Sequence, residues 1–116
     1  MATMSVAVLE QVADYFKVLS EVSRLQVLCA LKDGPKNVSE IMAATGLGQA
    51  NVSKHLKILT QAGMVQRQPQ GVQVYYRISD PIILPMCELV CQGLQNRLQA
   101  QLQTFEGENK GALQFR

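Results

Sequence analysis

Between Leu47 and Gly63 the chain reads Leu-Gly-Gln-Ala-Asn-Val-Ser-Lys-His-Leu-Lys-Ile-Leu-Thr-Gln-Ala-Gly, and directly after it the apolar period falls from 3.6 to 2. A two-faced helix running straight into a hairpin leaves few folds open. Val52, Leu56 and Leu59 recur at helical spacing and form an apolar stripe. Ser53, Lys54, Lys57 and Gln61 fall on the other side, and each can donate a hydrogen bond. Gly63 sits where a left-handed residue ends a helix, and Gly48 where an N-cap belongs. Next, Met64–Gln68 and Val72–Ile78 flank Pro69-Gln70-Gly71, a hairpin signal. An ordinary amphipathic surface helix would show the same stripe, so the charges decide. From Ile41 to Ser79 there is no Asp or Glu, although the chain has nine, while Lys54, Lys57, Arg67 and Arg77 all lie inside. The net charge of +2 says little by itself. An acid-free segment around a two-faced helix is a local footprint for a polyanion, and nucleic acid is favoured over a merely solvated face.

The flanking segments fit this centre. Val6 to Leu19 is helical by period, with Leu9, Val12, Phe16 and Leu19 on one face. Ser20 or Ser23 is expected to cap a second helix through Leu31, which Asp33-Gly34-Pro35 ends. Ser39 is expected to cap a short helix from Glu40 to Thr45, closed by Gly46. That helix, the Gly46-Leu47-Gly48 turn and the Gln49 helix make a helix-turn-helix, and the hairpin after it is a wing. Asp80 at a cap and Pro81 at the first position restart a helix. Along it Cys87, Cys91, Leu94, Leu98, Leu102 and Phe105 repeat at intervals of three and four. One small domain cannot cover so long a seam, so the first and last helices are expected to pack against a second copy. The fold class is mainly α with a small β-hairpin: a winged helix-turn-helix dimerising through its first and last helices. With 116 residues, one domain over 1–105 is expected, followed by a flexible tail at 106–116. No apolar run approaches the roughly 20 residues that cross a bilayer, and Met-Ala-Thr-Met-Ser lacks a signal-peptide pattern. A cytoplasmic location with reduced cysteines is therefore expected. No phosphate loop, paired-carboxylate or Ser/His/Asp arrangement points to an enzyme or a cofactor.

Three segments in order resemble the ArsR/SmtB family of dimeric winged-helix repressors. They are Leu19-Ser-Glu-Val-Ser-Arg-Leu-Gln-Val-Leu, Gln49-Ala-Asn-Val-Ser-Lys-His-Leu-Lys-Ile-Leu with Ala62-Gly-Met-Val, and Val74-Tyr-Tyr-Arg-Ile. The resemblance, over roughly Phe16 to Gln95, implies a homodimer on a palindromic double-stranded operator, released by an inducer. Carried over by position, Gln49, Asn51, Ser53 and His55 match residues that face bases and phosphates. Lys54 and Lys57 would hold the backbone, and Arg67 and Gln70 belong to the wing. Gly48 replaces the serine usual before Gln49, and Pro69-Gln70-Gly71 replaces a basic wing tip. His55, the one histidine, also lies at the edge of the apolar stripe, where a hydrogen-bonded core histidine would sit; the DNA role is favoured.

The resemblance also bears on the inducer. Of the zinc site that the family builds on its last helix, Asp80 stands, but Ile82, Gly93 and Asn96 occupy the other places. The family's Cys-x-Cys metal site is Asn37-Val-Ser39 here, so no metal site is expected. Cys29 matches the second-helix cysteine of the family's thiol-based sensors, whose partner falls at Gln95, one turn beyond Cys91. Cys87 and Cys91 share a helical face. The expected signal is a reactive sulfur species or oxidant acting through Cys29 and Cys91, with Cys87 as substitute. The alternatives are a soft ion such as arsenite held by all three thiols, three small buried hydrophobes, or a DNA-independent interaction module.

Overall fold

The protein is described here by a computed structural model covering residues 3–114. The described residues divide into two compact units between Pro81 and Ile82. The first unit holds α1 (Val6–Leu19), α2 (Val22–Ala30), α3 (Val38–Thr45), α4 (Gln49–Gln61), β1 (Val65–Gln70) and β2 (Gln73–Ile78). The second is α5 (Ile83–Gln114).

The core of the first unit gathers Val27, Leu28 and Leu31 with Ile41, Val52, Leu56, Leu59, Met64 and Val65, all buried. The stripe read on α4 is thus the face that packs on α2, α3 and β1. α1 begins at Ser5, whose hydroxyl accepts from Val8 N at 3.3 Å. Of its expected apolar face only Leu19 is buried, while Leu9, Val12 and Phe16 are exposed.

Two helix starts differ from expectation, that of α2 because its serines bond elsewhere. Ser20 Oγ donates back to Lys17 O at 2.8 Å, and Ser23 Oγ lies 2.8 Å from His55 Nε2. Glu21 therefore occupies the N-cap of α2 without a side-chain capping bond, and Leu31 is its C-cap. α3 starts at Val38 because Asn37, not Ser39, caps it. Asn37 Oδ1 accepts from Glu40 N at 2.8 Å and Glu40 Oε1 from Asn37 N at 3.0 Å, a reciprocal capping box. Gly46 closes α3 in the left-handed region at φ +76. Thr45 Oγ1 donates to Ile41 O and accepts from Leu47 N, which pins the turn into α4.

α4 ends as expected. Gly63 has φ +75, its N–H donates to Thr60 O at 3.1 Å, and Met64 N donates to Leu59 O at 3.0 Å. This is a Schellman motif, completed by the buried pair Leu59 and Met64. The hairpin turn lies further on than expected. Gln70 pairs with Gln73, so Pro69 and Gln70 belong to β1 and the tip is Gly71-Val72. Gly71 alone is left-handed, at φ +62, as a two-residue turn with glycine first requires. Lys36 adds a bridge to β2, exchanging backbone bonds with Tyr76 at 3.0 and 2.8 Å.

α5 starts at Ile83 instead of Pro81. Asp80, just before it, accepts from the Tyr15 hydroxyl through Oδ2 at 2.9 Å. Pro85 falls in the first turn, where the missing N–H has no intrahelical partner. The helix continues past Phe105 to Gln114, through most of the segment expected as a flexible tail; residues 115 and 116 lie outside the described residues. Leu94, Leu98, Leu102 and Phe105 are 52–64% exposed, a continuous apolar stripe open to solvent.

Candidate nucleic-acid interface

Seating the buried stripe fixes what α4 presents outward. Gln49, Asn51, Ser53, Lys54, Lys57 and Gln61 are all exposed. Arg67 on β1 and Gln70 beside the wing tip are exposed too. α4 and the hairpin enclose a groove of about 240 Å³, in which Ser53, Lys57 and Gln61 face Arg67 and Tyr76. Among the described residues no carboxylate pairs with Lys54, Lys57 or Arg67, so the charges stay unneutralised. Arg77 is tied across the hairpin to the side chain of Gln66, its direct strand partner. Val72, 98% exposed, makes the wing tip apolar.

Gly48 caps α4 with no side chain to bond the first free N–H groups. Its φ of −74 and ψ of 161 are open to any residue, and a Cβ there would meet nothing within 4 Å. No steric reason demands the glycine.

His55, expected at the DNA face, does not join the exposed group. It is 4% exposed, on the buried side of α4 between Val52 and Leu59. Its Nε2 stands 2.8 Å from Ser23 Oγ, and its Nδ1 receives the Arg24 Nε–H at 3.5 Å. Arg24 has no lone pair to offer, so Nδ1 is the unprotonated nitrogen and Nε2–H donates to Ser23. Arg24 itself reaches Val18 O at 2.8 Å and Glu21 Oε2 at 2.6 Å, knitting α1 and α2 to α4. Burial holds the His55 imidazole below its ordinary pKa of 6.5; the Arg24 and Lys54 charges push the same way and Glu21 opposes them. Sequence reasoning missed Ser23 and Arg24 as partners. The signal for burial was present, because Val52, His55, Leu56 and Leu59 follow one i, i+3, i+4, i+7 stripe.

Cys29 is exposed beside a cavity of about 570 Å³ lined by Leu25, Ala30, Lys36, Ala44 and Thr45. Cys91 is exposed and Cys87 half-buried, one turn apart on α5. The reading of three buried cysteines that serve only packing does not fit that exposure. Asp80, the remaining position of the family zinc site, accepts the Tyr15 hydrogen bond. No helix among the described residues is long and apolar enough to cross a membrane.

The family model for bacterial regulatory proteins of the arsR family matches residues 21–67, from the cap of α2 into β1. A transcriptional repressor SmtB homolog of Synechocystis is 30% identical over 92 residues, 79% of this chain and 70% of the relative. This chain belongs to the arsR family. Among solved structures, the AntR antimony-specific transcriptional repressor superposes with a TM-score of 0.76 at 31% identity, covering 85% of this chain and 90% of that one. The homodimeric winged helix-turn-helix DNA-binding domain of a possible ArsR-family regulator from Mycobacterium bovis gives 0.73 at 33% identity, covering 86% and 95%. The chain spans 37% and 61% of the length of two other curated relatives it matches. The fold is the winged helix-turn-helix of its arsR-family neighbours. In this arsR-family chain the matched segment contains both the outward face of α4 and the Arg24–His55 link behind it.

Proposed function

We propose that this chain is a dimeric repressor that binds palindromic double-stranded DNA through α4 and the wing and is released by a cysteine-based signal. One observation carries the DNA reading. The face of α4 opposite the core holds hydrogen-bond donors and unneutralised cations, with Arg67 across the groove. An α-helix fits the major groove, where amide and hydroxyl side chains read base edges and lysines hold phosphates. Gln49, Asn51 and Ser53 are assigned to bases, Lys54 and Lys57 to the backbone, and Arg67 and Gln70 to the wing contact. The exposed stripe on α5 and the apolar residues of α1 support a homodimer, as does the homodimeric state of the Mycobacterium bovis relative. Selection from a pool of random duplexes tests the reading. A palindromic site with half-sites about one helical turn apart is expected; no enrichment, or an enriched single-stranded motif, would overturn it. Persistence of duplex binding after charge reversal at Lys54 and Lys57 would also count against it, since the contact would then not run through α4; loss of binding separates the reading from a DNA-independent module.

For the signal we favour Cys29 with Cys91, Cys87 being the substitute. A thiolate must be reachable to react, and Cys29 and Cys91 are exposed. Oxidation by a peroxide would remove two electrons and two protons from the thiols, giving a disulfide and reducing the peroxide to water or alcohol; a polysulfide, attacked by each thiolate at one of its S–S bonds, would leave a bridging chain of its inner sulfurs and release its two end sulfurs as sulfide. Either link would tie α2 to α5, whereas a Cys87–Cys91 bond closes one turn of a single helix and constrains little. The likeness to an antimony-specific repressor favours a second reading, a soft trivalent ion held by all three thiols. Single serine replacements separate them. If Cys29→Ser and Cys91→Ser abolish release and Cys87→Ser does not, the two-thiol switch stands. Loss in all three with arsenite as trigger favours the ion, and normal release in the triple variant removes both.

A further inference from the structure

We propose that His55, held by Ser23 and Arg24, is a proton-sensitive positioning residue that sets the seat of α4 against α2. It contacts no DNA itself; it places the helix that does, so the inference rests in part on the DNA reading above. The geometry leaves the neutral ring one arrangement. Nε2–H donates to Ser23 Oγ at 2.8 Å, and Nδ1 accepts from Arg24 Nε at 3.5 Å. The ring is 4% exposed, so water cannot replace either partner.

A proton added to Nδ1 turns the acceptor into a donor that faces another donor. Arg24 cannot swing away freely, because its Nη1 is bonded to Val18 O at 2.8 Å and its Nη2 to Glu21 Oε2 at 2.6 Å. The carboxylate that could receive the new N–H is that same Glu21 Oε2, 4.0 Å from Nδ1 and too far for a hydrogen bond. Glu21 and Arg24 from the α2 end, with Lys54 on the ring's own helix, are the charges whose fields reach it. Two of those three are cations. Relief therefore comes from moving the ring toward Glu21 and away from Arg24, and a ring on a rigid helix takes the backbone with it. Ser53, Lys54 and Lys57 ride on that backbone, so acid should unseat the face that reads DNA.

The test has a DNA-free arm and a DNA arm on the full chain. In the first, NMR follows the His55 ring and the α4 amides from pH 8 to pH 5.5. The ring should titrate below 6.5, and the amides of Ser53, Lys54 and Lys57 should move with the same midpoint. In the second, anisotropy measures affinity for the selected duplex over the same range at constant salt. Wild type should lose affinity toward acid by up to about a hundredfold per pH unit, the ceiling for two linked protons, one from each protomer of the dimer. His55→Gln keeps a donor toward Ser23 but does not titrate, and its profile should be flat. Glu21→Gln alters an exposed side chain with no capping role; removing the one nearby anion should move both midpoints to lower pH. Amides of α4 that ignore the ring's titration, or a His55→Gln profile matching wild type, would overturn the proposal. If no duplex is selected, the DNA reading fails alone, and the ring and amide midpoints, with their shift in Glu21→Gln, still decide the latch.

Discussion

His55 shows how burial converts a side chain's chemistry. Its imidazole is favoured neutral in the folded protein by desolvation, assisted by Arg24 and Lys54, whereas the unfolded chain returns it to an ordinary pKa near 6.5. Below 6.5 the unfolded state binds more proton than the folded one, so stability from this group is complete above that pH. It declines as pH falls toward the folded pKa, and is fully lost below it. Denaturant melts from pH 8 to pH 5 should show that decline in wild type and a shallower one in His55→Gln; equal slopes would mean that another group carries it. The exposed lysines belong to another class. Lys57→Ala should weaken binding to all duplexes alike and reduce the salt slope by about one unit. Gln49→Ala should relax preference at particular base pairs, worth roughly 1–3 kcal/mol each. A change in base preference with an unaltered salt slope for Lys57→Ala would show that the face has been assigned wrongly.

At the scale of the helix, α4 is asymmetric at its ends. Its C-terminus has the full Schellman pattern on Gly63 at φ +75, where any other residue is strained. Gly63→Ala should lower stability by about 1 kcal/mol. The N-terminus has only Gly48, in an extended conformation with open space around its Cα. Gly48→Ser should raise stability by roughly 0.5–1 kcal/mol, by restricting the unfolded chain and capping a free N–H. Thermal melts of both variants check the pair; a loss at position 48 would mean that the glycine serves a close approach absent from the isolated chain. The wing is simpler. Its register puts an apolar Val72 at the tip, so grip on DNA should depend on Arg67 and the strand flanks.

For the whole molecule, the unpartnered stripe of α5 is the main debt of the fold: Leu94, Leu98 and Leu102 are each more than half exposed. Leu98→Glu should give a monomer in sedimentation and weaken operator affinity by roughly 10²-fold or more, as two linked half-sites become independent. A wild-type monomer at micromolar concentration with full affinity would contradict the dimeric reading. What the sequence by itself determined is what local spacing encodes. The two faces of α4, its glycine stop, the bounds of α1 at Val6 and Leu19, and the presence of a hairpin all depend on residues within a turn or a strand of one another. Only the tertiary structure decided which polar group bonds to which. Ser23 was available as a cap until His55, 32 positions away, took its hydroxyl. Asp80 precedes the last helix in sequence, yet its carboxylate accepts from Tyr15, 65 positions away. The hairpin tip moved to Gly71-Val72 because strand register, not the Pro-Gln-Gly composition, sets the turn. The physical reason is the same in each case: apolar periodicity is a property of a segment. A buried hydrogen bond belongs instead to whichever donor and acceptor the packed core brings within 3 Å, and that choice is non-local.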